Sequence, residues 1–170
     1  MADINEQNIE QNVEKLISRG LKASGYKVDL SEIDSINEFV SMICSDYDSI
    51  SGLVNNARPW VSYEKFPLCL KSWDIAMNVM AKAPAVLSSL FMEKLASEGG
   101  SIINISSTNA KFISQQPMTY HAAKAALEQV TRFLSVELGS KNIRVNSIAP
   151  GLIDQFDKEI KLSDDPVNRA

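Results

Sequence analysis

Between Gly100 and Gly151 the sequence passes through an apolar pentapeptide, a polar loop, a long helical pattern and a second apolar run that stops at Pro150-Gly151. Ser101-Ile-Ile-Asn-Ile105 is a short, mostly β-branched run and reads as a buried strand. From Tyr120 to Leu138, Leu127, Val130, Phe133, Leu134 and Leu138 fall on one helical side, and Gly139 follows. Ile143-Arg-Val-Asn-Ser-Ile-Ala149 is the next strand. A strand returned to its neighbour through a helix pairs in parallel, and a parallel sheet needs cover on both faces.

The rest of the chain alternates in the same way. Ile9, Val13, Leu16 and Ile17 give a helix over 4–19, closed by Gly20. Residues 26–30 form a short strand, Ser31 or Ser35 caps a helix striped by Ile36, Phe39, Val40 and Ile43, and residues 50–55 form another strand. Residues 58–67 read as a loop containing Trp60, Tyr63 and Phe66. A long helix over 72–95 contains Pro84, which must kink it or force a local adjustment. The expectation is an α/β, three-layer αβα sandwich with a doubly wound parallel sheet, as one domain over residues 1–170. At 170 residues and 45% hydrophobic content, a second domain would be crowded.

Within the Gly100–Gly151 stretch, Tyr120 and Lys124 are one helical turn apart and project toward the same volume, and Ser107 lies just past the strand end. A phenol with a reference pKa of about 10 is a poor base at neutral pH, and an adjacent ammonium favours the phenolate. A hydroxyl can hold a substrate oxygen while the phenol exchanges its proton. No side chain supplies a hydride, so the set implies a nicotinamide cofactor. His121 neighbours Tyr120 but points about 100° away on a helix, and no Gly-x-Ser-x-Gly elbow accompanies Ser107, so a hydrolytic triad is not the reading.

Four ordered motifs, Asn55-Asn-Ala57, Ser107, Tyr120-x-x-x-Lys124 and Ile143-Arg-Val-Asn-Ser-Ile-Ala-Pro-Gly151, make the chain resemble the short-chain dehydrogenase/reductase family, with its NAD(P)-binding Rossmann fold, over nearly its whole length. The resemblance implies reversible oxidation of a secondary alcohol to a ketone. Ser107 would orient the substrate oxygen and Tyr120 would be the general acid/base. Lys124 would hold the nicotinamide ribose and stabilise the phenolate. It further implies that Asn55 and Ala57 line the adenosine side, that Pro150, Gly151 and Ile153 lie near the nicotinamide, and that Asp29 and Leu30 approach the adenine. Asp3 is either a helix cap or the acidic residue that accepts the adenosine ribose hydroxyls, which would select NAD over NADP. Asp29 is either the adenine contact or a helix-entry residue.

The departures from the family pattern are equally specific. The seven glycines never take the Gly-x-x-x-Gly-x-Gly spacing that brings backbone amides to the pyrophosphate, so weak NAD binding is expected of these 170 residues. The resemblance therefore describes a chain truncated at both ends, lacking the first and last strands, with a gap or a rearranged strand between those near 26 and near 50. Arg58 replaces a glycine, Met80 a helix asparagine that supports a proton relay, and Gln155 a threonine. Two function classes stay open: an NAD-dependent oxidoreductase, or a non-catalytic module acting through dimerisation or another protein contact. In relatives the helices over 72–95 and 120–138 pair with a second subunit, and Leu87, Leu90, Phe91, Leu127, Phe133 and Leu134 are the apolar residues expected to do so here. A net charge of -4 and a pI near 5.1, with no basic run, argue against nucleic acid. Two distant cysteines without metal-ligand spacing read as reduced thiols, and neither a membrane span nor a signal peptide is evident. The expected setting is the cytoplasm, with a small alcohol or ketone as substrate and no metal.

Overall fold

The computed structural model describes residues 1–59 and 67–153. Trp60, Tyr63 and Phe66 of the expected aromatic loop, and Gln155, lie outside the described residues.

Among the described residues there are two parallel sheets. Strands β1 (Ala2–Asp3) and β2 (Tyr26–Lys27) form one; β3 (Gly52–Asn55), β4 (Ser101–Ile105) and β5 (Arg144–Ile148) form the other, in the order β3-β4-β5. The register sets Asn55 against Asn104 and Ile102 against Val145. Every pairing is parallel, as the alternation of helix and strand requires. The expected discontinuity falls between the strands near 26 and near 50, where the two sheets are not hydrogen-bonded to each other. One buried cluster nevertheless joins both halves, running from Val28, Ile36 and Phe39 through Leu87, Phe91 and Leu95 to Ile102, Ile143 and Val145.

Local sequence accounts for most helix boundaries. Helix α1 (Glu6–Ser18) starts two residues later than expected, because the Asn5 side chain accepts the Asn8 N–H at 3.2 Å. It stops at Gly20, whose φ of 78° lets Leu21 N–H reach the Leu16 carbonyl at 3.1 Å. Helix α2 (Ile33–Asp46) lacks the expected serine cap. Ser31 instead donates its hydroxyl to Asp29 Oδ1 at 2.7 Å, and Ser35 Oγ accepts the Asp29 N–H at 2.9 Å.

The segment around Pro84 is where periodicity alone misleads. Helix α3 (Leu70–Met77) gives way to a π-helical turn at Asn78–Lys82, followed by α4 (Ala83–Leu90) and α5 (Met92–Ala96). Pro84 has no N–H to continue the α-helical ladder, and the ladder widens ahead of it: Ala83 N–H bonds to the carbonyl of Asn78, five residues back. The wide turn faces Val79, Met80 and Ala81 inward together, and Met80 packs against Tyr120 and Ala123 of α6 (Met118–Glu137). Thus the Pro84 adjustment shapes the floor under the helix that carries Tyr120 and Lys124.

The surplus apolar surface expected on these helices is smaller than the sequence suggests. Leu87, Phe91 and Leu127 are buried inside the protomer, and Leu134 is packed against the core. Leu90, Phe133 and Val136 remain exposed. No helix among the described residues is long and apolar enough to cross a membrane.

Candidate active site

The site forms at the carboxyl ends of β4 and β5, where open parallel α/β sheets bind ligands. Pairing continues past both strands. Ser106 N–H reaches the Ile148 carbonyl at 2.7 Å and Thr108 N–H the Pro150 carbonyl at 3.0 Å. Ser107 is therefore held alongside Pro150-Gly151. Its hydroxyl oxygen also accepts Asn109 N–H at 3.2 Å, capping a 3₁₀ turn over Thr108–Ala110.

Helix α6 brings Tyr120 and Lys124 to the same place. Both are buried, and Lys124 Nζ donates to the Ile105 carbonyl at 2.6 Å, tying the helix to the end of β4. The ammonium lies 5.7 Å from the Tyr120 ring centroid, and the Arg58 guanidinium carbon lies 4.9 Å from it. Burial first, and the Arg58 charge second, lower the Lys124 pKa to about 8. At neutral pH most of this side chain still carries its proton.

Buried and partly buried polar contacts brace the site, and none was singled out from sequence. Asn55 Nδ2 donates to Asn104 Oδ1 at 2.8 Å, Asn104 Nδ2 to Thr131 Oγ1 at 2.9 Å, and Thr131 Oγ1 to the Leu127 carbonyl at 2.7 Å. This chain of bonds locks β3, β4 and α6 together. Ser106 Oγ bonds to Glu128 Oε1 at 3.2 Å on the next turn of α6. His121 Nε2 accepts Ser114 N–H at 3.0 Å, so its proton sits on Nδ1 and goes to the Pro117 carbonyl at 2.9 Å. Both ring nitrogens are thereby used in fastening the loop to α6. The one sequence signal for this bracing was an asparagine inside the apolar run Ile-Ile-Asn-Ile, since a buried strand amide demands partners.

A cavity of about 660 Å³ gathers Ser107, Tyr120, Lys124, Pro150, Gly151 and Ile153, together with Asn56, Arg58 and residues of the 105–109 and 114–116 segments. That volume suits a small molecule or part of a cofactor. Asp3, Asp29, Leu30, Asn55 and Ala57 are not on its wall. The Asn55 amide is turned to Asn104, Asp29 Oδ1 closes the turn into α2 through Ser31, and Asp3 Oδ1 takes the Asn5 N–H at 2.9 Å.

The parallel strands and their helices define a Rossmann-like, doubly wound α/β protein. The family model described as "Enoyl-(Acyl carrier protein) reductase" matches residues 1–167. The chain belongs to the short-chain dehydrogenase/reductase family, whose members include oxidoreductases. It is 32% identical over 155 residues to an uncharacterized oxidoreductase of Thermotoga maritima, covering 91% of this chain and 60% of that protein. Among solved structures, a metagenomic short-chain oxidoreductase in complex with NADP aligns with a TM-score of 0.80 and 26% identity, over 89% of this chain and 69% of that one. A 7α-hydroxysteroid dehydrogenase complexed with NADH and 7-oxo glycochenodeoxycholic acid aligns at 0.79 and 27%, over 88% and 59%.

The Lys124 shift has a direct check. A ¹⁵N NMR titration of its amino group should give a midpoint near 8, moved upward in Arg58→Gln because the second cause is removed. A midpoint near the usual lysine value of about 10.4 would contradict the burial argument. Between pH 8 and the unfolded lysine value, the unfolded chain holds a proton that the folded chain does not, so this group's burial penalty is relieved, and stability rises, as pH rises through that window.

Proposed function

We propose that these residues form the proton-transfer site of an NAD(P)-dependent oxidoreductase acting on a secondary alcohol or ketone. The observation that carries this reading is the convergence of Ser107, Tyr120 and Lys124 on one cavity, with Lys124 anchored to the end of β4. In reduction, the Ser107 hydroxyl donates to the ketone oxygen and Tyr120 delivers the proton that completes the alcohol; oxidation runs the same transfer backward. The Lys124 ammonium stabilises the phenolate left on Tyr120, and this support weakens as pH rises past about 8. The cofactor, when bound, supplies or accepts the hydride.

The donor set suits the nicotinamide-ribose half of that cofactor. The cavity wall carries the Lys124 ammonium, several hydroxyls including those of Ser107 and Tyr120, and Pro150-Gly151, which supports Lys124 as the group that would hold the ribose hydroxyls. For the adenosine half, Asp3 at the end of β1 supports NAD over NADP, since a 2'-phosphate would meet its carboxylate. The 170 residues contain no glycine-rich pyrophosphate turn, so weak NAD affinity is expected of this chain alone. Because the chain spans 60% of the Thermotoga relative, turnover is proposed for the chain joined to the segments its longer relatives carry.

Two measurements test the reading. In that extended protein, Tyr120→Phe should lower kcat for ketone reduction by about 10² to 10⁴, the range for a positioned acid/base, and an unchanged rate would refute the role of Tyr120. The exposed Leu90, Phe133 and Val136 support a two-fold dimer through α4 and α6, the contact on which a non-catalytic module would also depend. Sedimentation at micromolar concentration should show a dimer, and a monomer throughout would remove this part of the proposal.

A further inference from the structure

Arg58 occupies a position for which the proton-transfer scheme has no use. It is the third residue past β3, and its guanidinium is held from two sides: the Tyr120 ring lies 4.9 Å from Cζ, and Gln116 Oε1 accepts from Nη2 at 3.0 Å. That hydrogen bond engages one of the five N–H donors of a guanidinium. Among the described residues no carboxylate pairs with it.

The wall around it is equally one-sided. The described residues lining the cavity include two cations, Arg58 and Lys124, and no aspartate or glutamate. Glu128 is the acid nearest along α6, yet it is committed elsewhere: it holds Ser106 Oγ and lies 4.0 Å from Lys111 and 3.6 Å from Arg132. Two like charges in a partly desolvated cavity repel each other, and the lowered Lys124 pKa has the Arg58 charge as its second cause. An anion entering between them would reverse that repulsion and satisfy the open face of the guanidinium fork.

We propose that Arg58 makes this an anion-accepting cavity, and that the substrate handled by Ser107 and Tyr120 carries a carboxylate close to its alcohol or ketone carbon. The proposal rests on the reading of the site as an alcohol/ketone oxidoreductase and adds the substrate class. Its geometric basis is that Arg58 stacks on the ring of the very phenol that exchanges the proton, so an anion bound there sits beside the reacting oxygen. A cofactor pyrophosphate offers the same anionic chemistry from a second source. A guanidinium that merely covers the Tyr120 ring would show no preference for either anion.

The test uses the 170-residue chain and needs no turnover. Amide chemical shifts are followed at constant ionic strength during titration with levulinate, a small stable oxo acid, with its uncharged methyl ester, and with inorganic pyrophosphate. Levulinate should bind about ten-fold more tightly than the ester, the scale of one charge-assisted hydrogen bond, with shifts centred on Ser107 and Tyr120. Arg58→Gln should bring acid and ester to parity, while Arg58→Lys should keep part of the preference. Equal affinities in the unaltered chain, or a preference undiminished in Arg58→Gln, would overturn the proposal. So would an Arg58-dependent binding of pyrophosphate with none of levulinate, which would give the residue to the cofactor. Charge preference without turnover in the extended protein would defeat the oxidoreductase reading alone; turnover without charge preference would defeat this inference alone.

Discussion

The bond on which the site depends is the one from Lys124 Nζ to the Ile105 carbonyl. It brings a buried ammonium to the end of the central strand of its sheet, and every other feature of the cavity is placed relative to it. Tyr120 is one turn back on the same helix, Ser107 two residues on from the carbonyl, and Pro150-Gly151 alongside through backbone pairing. The cost is visible in the lowered pKa of the lysine, since burial and a neighbouring cation both disfavour its charge. A structure optimised for stability alone would not bury that charge, and pKa values displaced in this way gather at functional sites.

The surrounding polar network explains how a cation can be held there. Asn55, Asn104 and Thr131 join two strands to α6 through satisfied hydrogen bonds that are buried or partly buried, and Ser106 with Glu128 adds a second tie one turn from Lys124. Fully paired groups of this kind fix a single arrangement, because any slip would leave a buried donor or acceptor orphaned. Below the helix, the π turn that precedes Pro84 feeds Met80 against Tyr120, so the Tyr120 ring rests on an apolar floor. Where the family pattern has an asparagine, this chain has a buried thioether, which fills space and is only a feeble hydrogen-bond partner.

How much of this could be read beforehand follows from the range of the forces involved. β4, β5 and α6 were legible because their apolar patterns are long and bounded by glycine or proline, and Ser107, Tyr120 and Lys124 because helical spacing and strand ends are local geometry. The break in the sheet was legible from the family's strand order. The start of α2 was not, because Ser31 and Ser35 had two competing partners, the helix N-terminus and Asp29, and the contest is settled by turn geometry. Leu87, Phe91 and Leu127 looked like surplus surface because periodicity marks the apolar side of a helix without saying what covers it. The ties of Asn104 to Thr131 and of Ser106 to Glu128 cross 27 and 22 residues, and nothing in single-residue chemistry announces such pairings.

If the nicotinamide-side chemistry is assembled within these residues, independently of the adenosine side, the chain should recognise that half of the cofactor by itself. Reduced nicotinamide mononucleotide contains that half of the cofactor and nothing of the adenosine, so an NMR titration of the 170-residue chain isolates the claim. Saturable shifts are expected, confined to the amides of Ser107, Tyr120, Lys124 and Gly151 and their neighbours, and weakened in Lys124→Met. Shifts absent from these residues at saturation, or located away from the ends of β4 and β5, would contradict it.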